Sequence, residues 1–484
     1  MPRGIRYNGF NTRLLYSAMK QLLLLALILL SAASPILANE QISPIKGAAC
    51  LVSDASGRVL VTRDILNNRI AIPGGYVDSD NPADAAVRET LEETGIKVKA
   101  VGELARLRNA VLYNCVALSP IPVHTDNSGK GTVAAWQAEH FGREVRAVFL
   151  VQPESINLED ARFPDQVKMF PELLKKANRS EIDERTDFSH LAHDFSVWNA
   201  DINLTVQRAV HALPAPFNAF MGTLITWASA MGSGVLFFML LPFAIATGGV
   251  KRASETLLVT VIATVIVSFG KLYFGVPRPF YIFPELQLAN ASGFAFPSGH
   301  TATAFAVWGL IYHWLKQAGH NRLSIWLVPA LLVALSRVYL GVHYVTDVIA
   351  GAVIGVLTVF IVNALSSRRF MDKPLLLHPL PWLLVGLLVV PFAATQIQPL
   401  FLYCVVFSLV FSLMLMGNPR AIHATKPMGA KCGVITLVIV LLIAATAFSI
   451  AQLSQSSIEI LAVNCTAIAL LAVWISRGAP RVSK

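Results

Sequence analysis

The sequence predicts a multidomain chain: an α/β domain followed by an all-α domain that crosses a membrane many times. Three observations carry this. Hydrophobic residues make up 55% of the 484 residues and charged ones 14%, with a mean hydropathy of +0.58, a composition that calls for several membrane spans. The apolar residues fall in long blocks only from about residue 217 onward, whereas residues 40 to 155 mix polar and apolar positions. Within that mixed stretch, a glycine-containing loop leads into a helix with an acidic face.

The first segment, 1–38, reads as a signal peptide or signal anchor. Basic residues (Arg3, Arg6, Arg13, Lys20) precede an apolar run, Leu22 to Leu30, and small residues continue to Ala38. Ser31-Ala32-Ala33 offers a small-x-small cleavage site, and either outcome delivers the α/β domain outside the cytoplasm. Residues 40–155 read as soluble α/β. Ala48 to Val52 is a strand, Asp54-Ala55-Ser56-Gly57 a turn, and Arg58 to Thr62 a returning strand. Residues 156–215 read as a linker with an amphipathic stretch near 195–212. Cys50 and Cys115 both fall in the soluble part, where a disulfide and two buried thiols are equally open readings. Cys404, Cys432 and Cys465 sit in or beside apolar runs and are expected simply to pack.

Membrane helices are expected over 223–248, 254–274, 299–316, 324–342, 346–365, 376–394, 399–417, 432–451 and 457–476, each about long enough for a ~30 Å hydrocarbon core. The first five fall in a membrane domain over 216–366, and the last four form an additional segment, 367–484. Every second connection is basic: Lys251 and Arg252, Lys316 and Arg322, then Arg368, Arg369 and Lys373, then Arg420, Lys426 and Lys431, then Arg477, Arg481 and Lys484. Connections 396–399 and 452–459 carry no Lys or Arg. The positive-inside rule therefore places the C-terminus in the cytoplasm and the soluble domain on the extracytoplasmic face of the inner (cell) membrane. The net charge of +10 is thus explained by orientation-setting loops, which argues against a nucleic-acid partner.

Three polar clusters lie on the expected outer side. They are Lys271 with Arg278-Pro279, then Pro297-Ser298-Gly299-His300 opening a helix, then Ser336-Arg337 with His343 and Asp347. Ionisable residues at membrane helix ends are costly and point to function. The chemistry suits a phosphate. Lys271, Arg278 and Arg337 supply cations, two of them planar forks. Ser298-Gly299 opens a helix whose free N–H groups favour an anion. His343 and Asp347 are four apart, so the carboxylate can hold one ring nitrogen while the other attacks phosphorus. His300 can protonate the leaving oxygen, and no metal is required.

In order and spacing, these clusters resemble the three-part signature of the type-2 phosphatidic acid phosphatase superfamily over roughly 250–365. The resemblance implies a phosphohistidine on His343 oriented by Asp347, with His300 as general acid. It implies Lys271, Arg278, Ser298, Gly299 and Arg337 as the phosphate cradle. Bacterial members of this type resemble phosphatidylglycerophosphate or undecaprenyl-diphosphate phosphatases.

In the soluble part, Asn81 is a good N-cap, Pro82 suits the first helical position, and Gly95 closes the helix. Glu89, Glu92 and Glu93 share one face, a repulsion of about 0.2–0.5 kcal/mol per pair that a hard cation would remove. Carboxylate oxygens suit Mg²⁺ or Mn²⁺. From Gly74 to Ile96 the pattern resembles the Nudix box, with Arg88 in place and one departure: the first acid is Asp80 where the family usually has glutamate. The resemblance implies Glu89, Glu92 and Glu93 as metal ligands and hydrolysis of a nucleoside diphosphate-type substrate.

The sequence thus predicts a bifunctional envelope hydrolase. Metal-independent dephosphorylation of a lipid phosphate or diphosphate joins metal-dependent cleavage of a diphosphate. Alternatives are a lipid phosphotransferase with a non-catalytic Nudix ligand-binding module, or a membrane sensor or carrier.

Overall fold

A computed structural model of the chain describes residues 45–483 except 108, 371–372, 397 and 417–424. The signal segment expected over 1–38 lies outside the described residues. The soluble part carries two sheets. Strands β1 (Gly47–Leu51), β4 (Gly74–Tyr76), β5 (Val98–Leu107) and β6 (Ala110–Ala117) form a four-stranded sheet in the order β4-β1-β6-β5, with β1 and β6 parallel. Strands β2 (Val59–Asp64), β3 (Ile70–Ala71), β7 (Ile121–Thr125), β8 (Gly131–Val133), β9 (Val145–Val151) and β10 (Ile182–Glu184) form the second, in the order β10-β7-β8-β9-β2-β3. The two strands expected at the start of the domain are β1 and β2, each displaced by one or two residues.

Helix α1 (Pro82–Thr94) packs against the four-stranded sheet and forms where its caps dictate. The Asn81 side chain accepts from the backbone N–H groups of Ala83 and Asp84, and Gly95 turns out at φ 75° with its N–H on the Leu91 carbonyl. The Cys50 and Cys115 sulfurs are bonded, joining fully buried positions on β1 and β6. This resolves the choice between a bridge and two thiols.

The stretch expected as a linker is folded throughout. Ile156, Ala161, Phe170 and Leu173 join a core with Leu51, Val59 and Leu112; Phe170 and Leu173 come from α2 (Pro164–Leu174). Strand β10 then extends the second sheet. Helix α3 (Asp194–His211) buries Asn199, Ala200, Asn203 and Gln207, so its amphipathic pattern marks a packed helix whose inner face is largely amide.

In the membrane half, the helix expected over 223–248 is two helices. Helix α4 (Ala215–Ala230) ends at a turn through Met231-Gly232-Ser233, and α5 (Gly234–Phe274) starts after it. Helix α5 itself breaks at Gly249, whose φ of 63° and ψ of −156° are non-helical. After a single helical turn at Pro279–Ile282 come α6 (Gly299–Gln317), α7 (Ser324–Tyr339) and α8 (Val345–Ser366). The C-terminal segment adds α9 (Pro379–Thr395), α10 (Pro399–Met416), α11 (Gly429–Leu453) and α12 (Ser457–Val473). Among the described residues, five stretches are long and apolar enough to span a membrane: Met239–Ile282, Val345–Ser366, Pro399–Met416, Gly429–Leu453 and Ser457–Val482. The expected nine spans become five because two merge into the first stretch, α7 and α9 are shorter, and α6 is not apolar enough. Helix α6, interrupted by His300, His313 and Lys316, is the least apolar of the set.

The soluble domain is seated on one face of the membrane half. Phe141 meets Tyr281 and Phe294 at ring distances of 5.8 and 5.3 Å, and Trp136 stacks on Tyr281 at 6.2 Å. The Tyr281 hydroxyl donates to the Arg146 carbonyl at 3.2 Å. A second contact lies on the connection between α11 and α12. There Arg162 donates to the Gln455 carbonyl and to Ser457 Oγ, and Gln452 donates to the Asn67 carbonyl. Buried side chains from both halves form one continuous core.

Candidate active sites

The three membrane-side clusters converge. Ser298 caps α6, its hydroxyl accepting from the Thr301 N–H, and its own N–H donates to the Asp347 carbonyl at 3.0 Å. Asp347 lies in the first turn of α8. Its carboxylate accepts the Tyr344 N–H at 2.9 Å and stands 3.2 Å from Nδ1 of His343. The other ring nitrogen, Nε2, is 3.2 Å from the Arg278 guanidinium. Arg278 also donates to the carbonyls of Ser292, Gly293 and Val342, which fixes its fork in a single orientation. Lys271 donates to the Phe294 carbonyl at 2.6 Å, and Arg337 donates to Ser229 Oγ at 2.5 Å.

Arg278, Arg337, His343 and Asp347 are all buried. The Arg337 Nε has no hydrogen-bond partner. A buried, unpaired guanidinium N–H suits an anion, because leaving it unmet is costly. Lys271, Gly299 and His300 line a cavity of about 510 Å³. Residues Ile65, Leu66, Gly142 and Arg146 of the soluble domain line the same cavity. Both halves therefore enclose one site on one face.

Sequence reasoning missed the amides that hold the His343 loop. Asn203 donates to the carbonyls of Val338 and His343 at 2.8 and 2.9 Å. Gln207 donates to those of Leu286 and Tyr339, and Asn199 to Thr346 Oγ1. Their four-residue spacing along α3 was the available signal.

In the soluble domain, the carboxylates of Glu89 and Glu92 and the His140 ring each place one ligand atom within 4.8 Å of the others. His140 was not anticipated; it comes from the segment between β8 and β9, and its N–H donates to the Glu92 carbonyl. Glu93 lies apart from this trio, turned inward to accept the Gly74 N–H at 3.1 Å. Burial pushes the Glu93 carboxyl well above its ordinary range and raises Glu89 as well, with Glu92 adding to the latter. The Glu89 carboxylate lies against Gly75, where any Cβ would collide with it. Asp80, despite its shorter side chain, accepts from Arg88 Nε at 2.8 Å, and Arg88 also reaches Glu92 Oε2 at 2.8 Å. The donor set fits a hard divalent cation: clustered carboxylates, the His140 Nε2 at 4.0 Å from Glu92 Oε2, and a glycine that keeps room for Glu89.

Fold and sites together define a multi-pass membrane protein with a basic cluster at one membrane face and an acidic cluster in the domain above it. Residues 253–371 match the PAP2 superfamily and residues 44–173 the NUDIX domain. The chain therefore joins a NUDIX domain to a PAP2-superfamily membrane domain.

Phosphatidylglycerophosphatase B of Bacillus subtilis is 39% identical over 95 residues, 18% of this chain and 47% of the relative. Lipid A 4'-phosphatase of Bacteroides thetaiotaomicron is 29% identical over 194 residues, 36% of this chain and 83% of the relative. The bacitracin transport permease protein BcrC of Bacillus licheniformis is 38% identical over 87 residues, 18% of this chain and 41% of the relative. The chain thus spans less than half the length of the two Bacillus relatives. Among solved structures, Aquifex aeolicus LpxE aligns at 29% identity over 34% of this chain and 95% of its own, with a TM-score of 0.29.

Proposed function

We propose that the chain is a bifunctional envelope hydrolase. Its membrane half removes a terminal phosphate from a lipid phosphate or diphosphate, of the kind of undecaprenyl diphosphate or phosphatidylglycerophosphate. Its NUDIX half cleaves a diphosphate-containing substrate with Mg²⁺ or Mn²⁺. The observation that carries the first reading is the Asp347–His343–Arg278 line. Asp347 holds Nδ1 and its proton, which leaves the Nε2 lone pair facing the guanidinium that would bind the phosphate. Nε2 attacks phosphorus, and the bond to the leaving oxygen breaks as His300 gives that oxygen a proton. Water, deprotonated by His300, then attacks the phosphohistidine and releases inorganic phosphate and free His343. Lys271, Arg278, Arg337 and the N-terminus of α6 neutralise the charge on the equatorial oxygens.

In the NUDIX half, Glu89, Glu92 and His140 would hold the cation, while Glu93 holds the Gly74 N–H apart from them. A bound cation supplies charge neutralisation on the diphosphate and a lowered water pKa. Arg88 fixes Glu92 and the Asp80 loop relative to each other.

The test is an assay of the full chain in detergent on phosphatidic acid, undecaprenyl diphosphate and nucleoside diphosphate conjugates, with Mg²⁺ and then EDTA. Phosphate release from lipid is expected to survive EDTA; its loss to EDTA alone would contradict the phosphohistidine route. Conjugate cleavage is expected to need the cation.

Two observations support the extracytoplasmic placement of both sites: the basic alternate connections and the Cys50–Cys115 bridge, since disulfides persist in oxidising compartments. A reporter fused after Lys484 that is active only in the cytoplasm is expected to be active; a silent, correctly expressed fusion inverts the orientation.

Asn203 is expected to position the nucleophile. Asn203→Leu keeps the bulk of the side chain and removes two hydrogen bonds worth about 1 kcal/mol each, so kcat on lipid phosphate should fall about tenfold or more. KM should change less, because the amide touches the loop rather than the substrate. An equal rise in KM with kcat unchanged would assign Asn203 to substrate binding instead.

A further inference from the structure

The cavity at the basic cluster does not end there. A second cavity, of about 910 Å³, adjoins it, and Leu66, Tyr403 and Asn464 line both. It runs between α10, α11 and α12, which lie beyond the PAP2 match, and the Leu66–Arg69 loop of the NUDIX domain covers it. The α11 wall is small: Ala444, Ala447 and Ala451 follow at three- and four-residue spacing and share one helical face. Ile468 and Leu471 of α12 stand among the other lining residues. At the junction of the two cavities, Asn464 donates to the Tyr403 hydroxyl at 2.9 Å. These polar groups satisfy each other, so they add little penalty for an apolar occupant. The roof is pinned to the helices by Arg69 Nε on Gln452 Oε1 and by Gln452 on the Asn67 carbonyl.

We propose that this groove binds the hydrocarbon chain of the lipid phosphate whose head group sits at Lys271 and His300. The proposal rests on the phosphatase reading and extends it: the C-terminal helices and the NUDIX loop together complete the lipid site. The occupant is set by the surroundings. The helical walls are largely apolar and come from helices of membrane-spanning length, while the charged lining residues, Arg69, Glu159 and Asp160, all belong to the NUDIX roof, so a hydrocarbon chain fits between the helices. The groove shares Leu66, Tyr403 and Asn464 with the cavity that Lys271, Gly299 and His300 line, so one amphiphile fills both. Its volume lies within the about 300–1,000 Å³ of sites that enclose small ligands.

The test is photo-crosslinking of the full-length chain, carrying His343→Ala to prevent turnover, with phosphatidic acid bearing a diazirine midway along one acyl chain. The expected label falls on α11 and α12, between residues 440 and 471. Unlabelled phosphatidic acid should compete it away and phosphatidylcholine should not. Label confined to α4–α8, or label that both lipids compete equally, overturns the groove.

A second measurement uses the active chain. Ala447→Trp fills the groove and should lower the ratio of turnover on a long-chain to a short-chain phosphatidic acid by about tenfold or more, because the buried methylenes lose their site. An unchanged ratio in a folded variant also overturns it. The two readings fail separately. A chain that takes head-group-competed label on α11 and α12 but releases no phosphate keeps the groove and loses the hydrolase reading. An active chain labelled elsewhere does the reverse.

Discussion

His343→Ala should abolish phosphate release from lipid substrates while leaving cation-dependent cleavage of nucleoside diphosphate conjugates intact. His343 is 1% exposed and held between Asp347 and Arg278. Alanine removes the nucleophile without adding bulk. Loss of the attacking nitrogen should cost at least about a thousandfold in kcat, the scale seen when a covalent nucleophile is removed. The wild-type chain, quenched during turnover with labelled substrate, should carry phosphate that acid releases and alkali does not, as expected of a phosphorus–nitrogen bond. The variant should carry none. Turnover by His343→Ala within a few-fold of wild type would remove His343 from the chemistry and favour direct attack by water.

Glu92→Gln should have the converse effect. It keeps the shape of the side chain but removes the charge that faces Glu89, His140 and Arg88. The expected result is a fall of at least about a hundredfold in cation-dependent turnover, partly recovered by raising Mg²⁺ or Mn²⁺, with lipid dephosphorylation unchanged. Direct cation binding, measured by calorimetry or by Mn²⁺ paramagnetic resonance, should weaken in parallel. If the variant binds the cation as tightly as wild type and turns over normally, the acidic face of α1 is a solvated surface held by Arg88. Glu93→Gln provides the contrast. Its carboxylate already accepts the Gly74 N–H, so loss of activity there with cation binding retained would separate a loop-holding role from a ligand role.

The local features were legible because they are written at short range. The capping of α1 by Asn81 and Gly95, the helix-opening Ser298-Gly299 and the His343/Asp347 pair each lie within one or two turns of chain, and the structure places them as that spacing requires. The folded state of 156–215 was not legible. Its polar composition is typical of a linker, yet Asn199, Asn203 and Gln207 use that polarity to hold the His343 loop, chiefly through its backbone carbonyls. The break between α4 and α5 was hidden for the opposite reason: apolar residues continue through it, and hydropathy does not register the turn at Gly232 and Ser233.

The sequence alone therefore determined the two-part architecture, the membrane-spanning character and the chemical type of each cluster, because composition, periodicity and spacing are properties of neighbouring residues. Tertiary structure alone decided how the halves meet. It brought His140 to Glu89 and Glu92, joined Cys50 to Cys115, and set Arg146 and Leu66 of the soluble domain over the cavity that Lys271 and His300 line. Leu66, Tyr403 and Asn464 meet only because separate sheets and helices pack against each other, and a contact at that separation leaves no periodic trace in the chain.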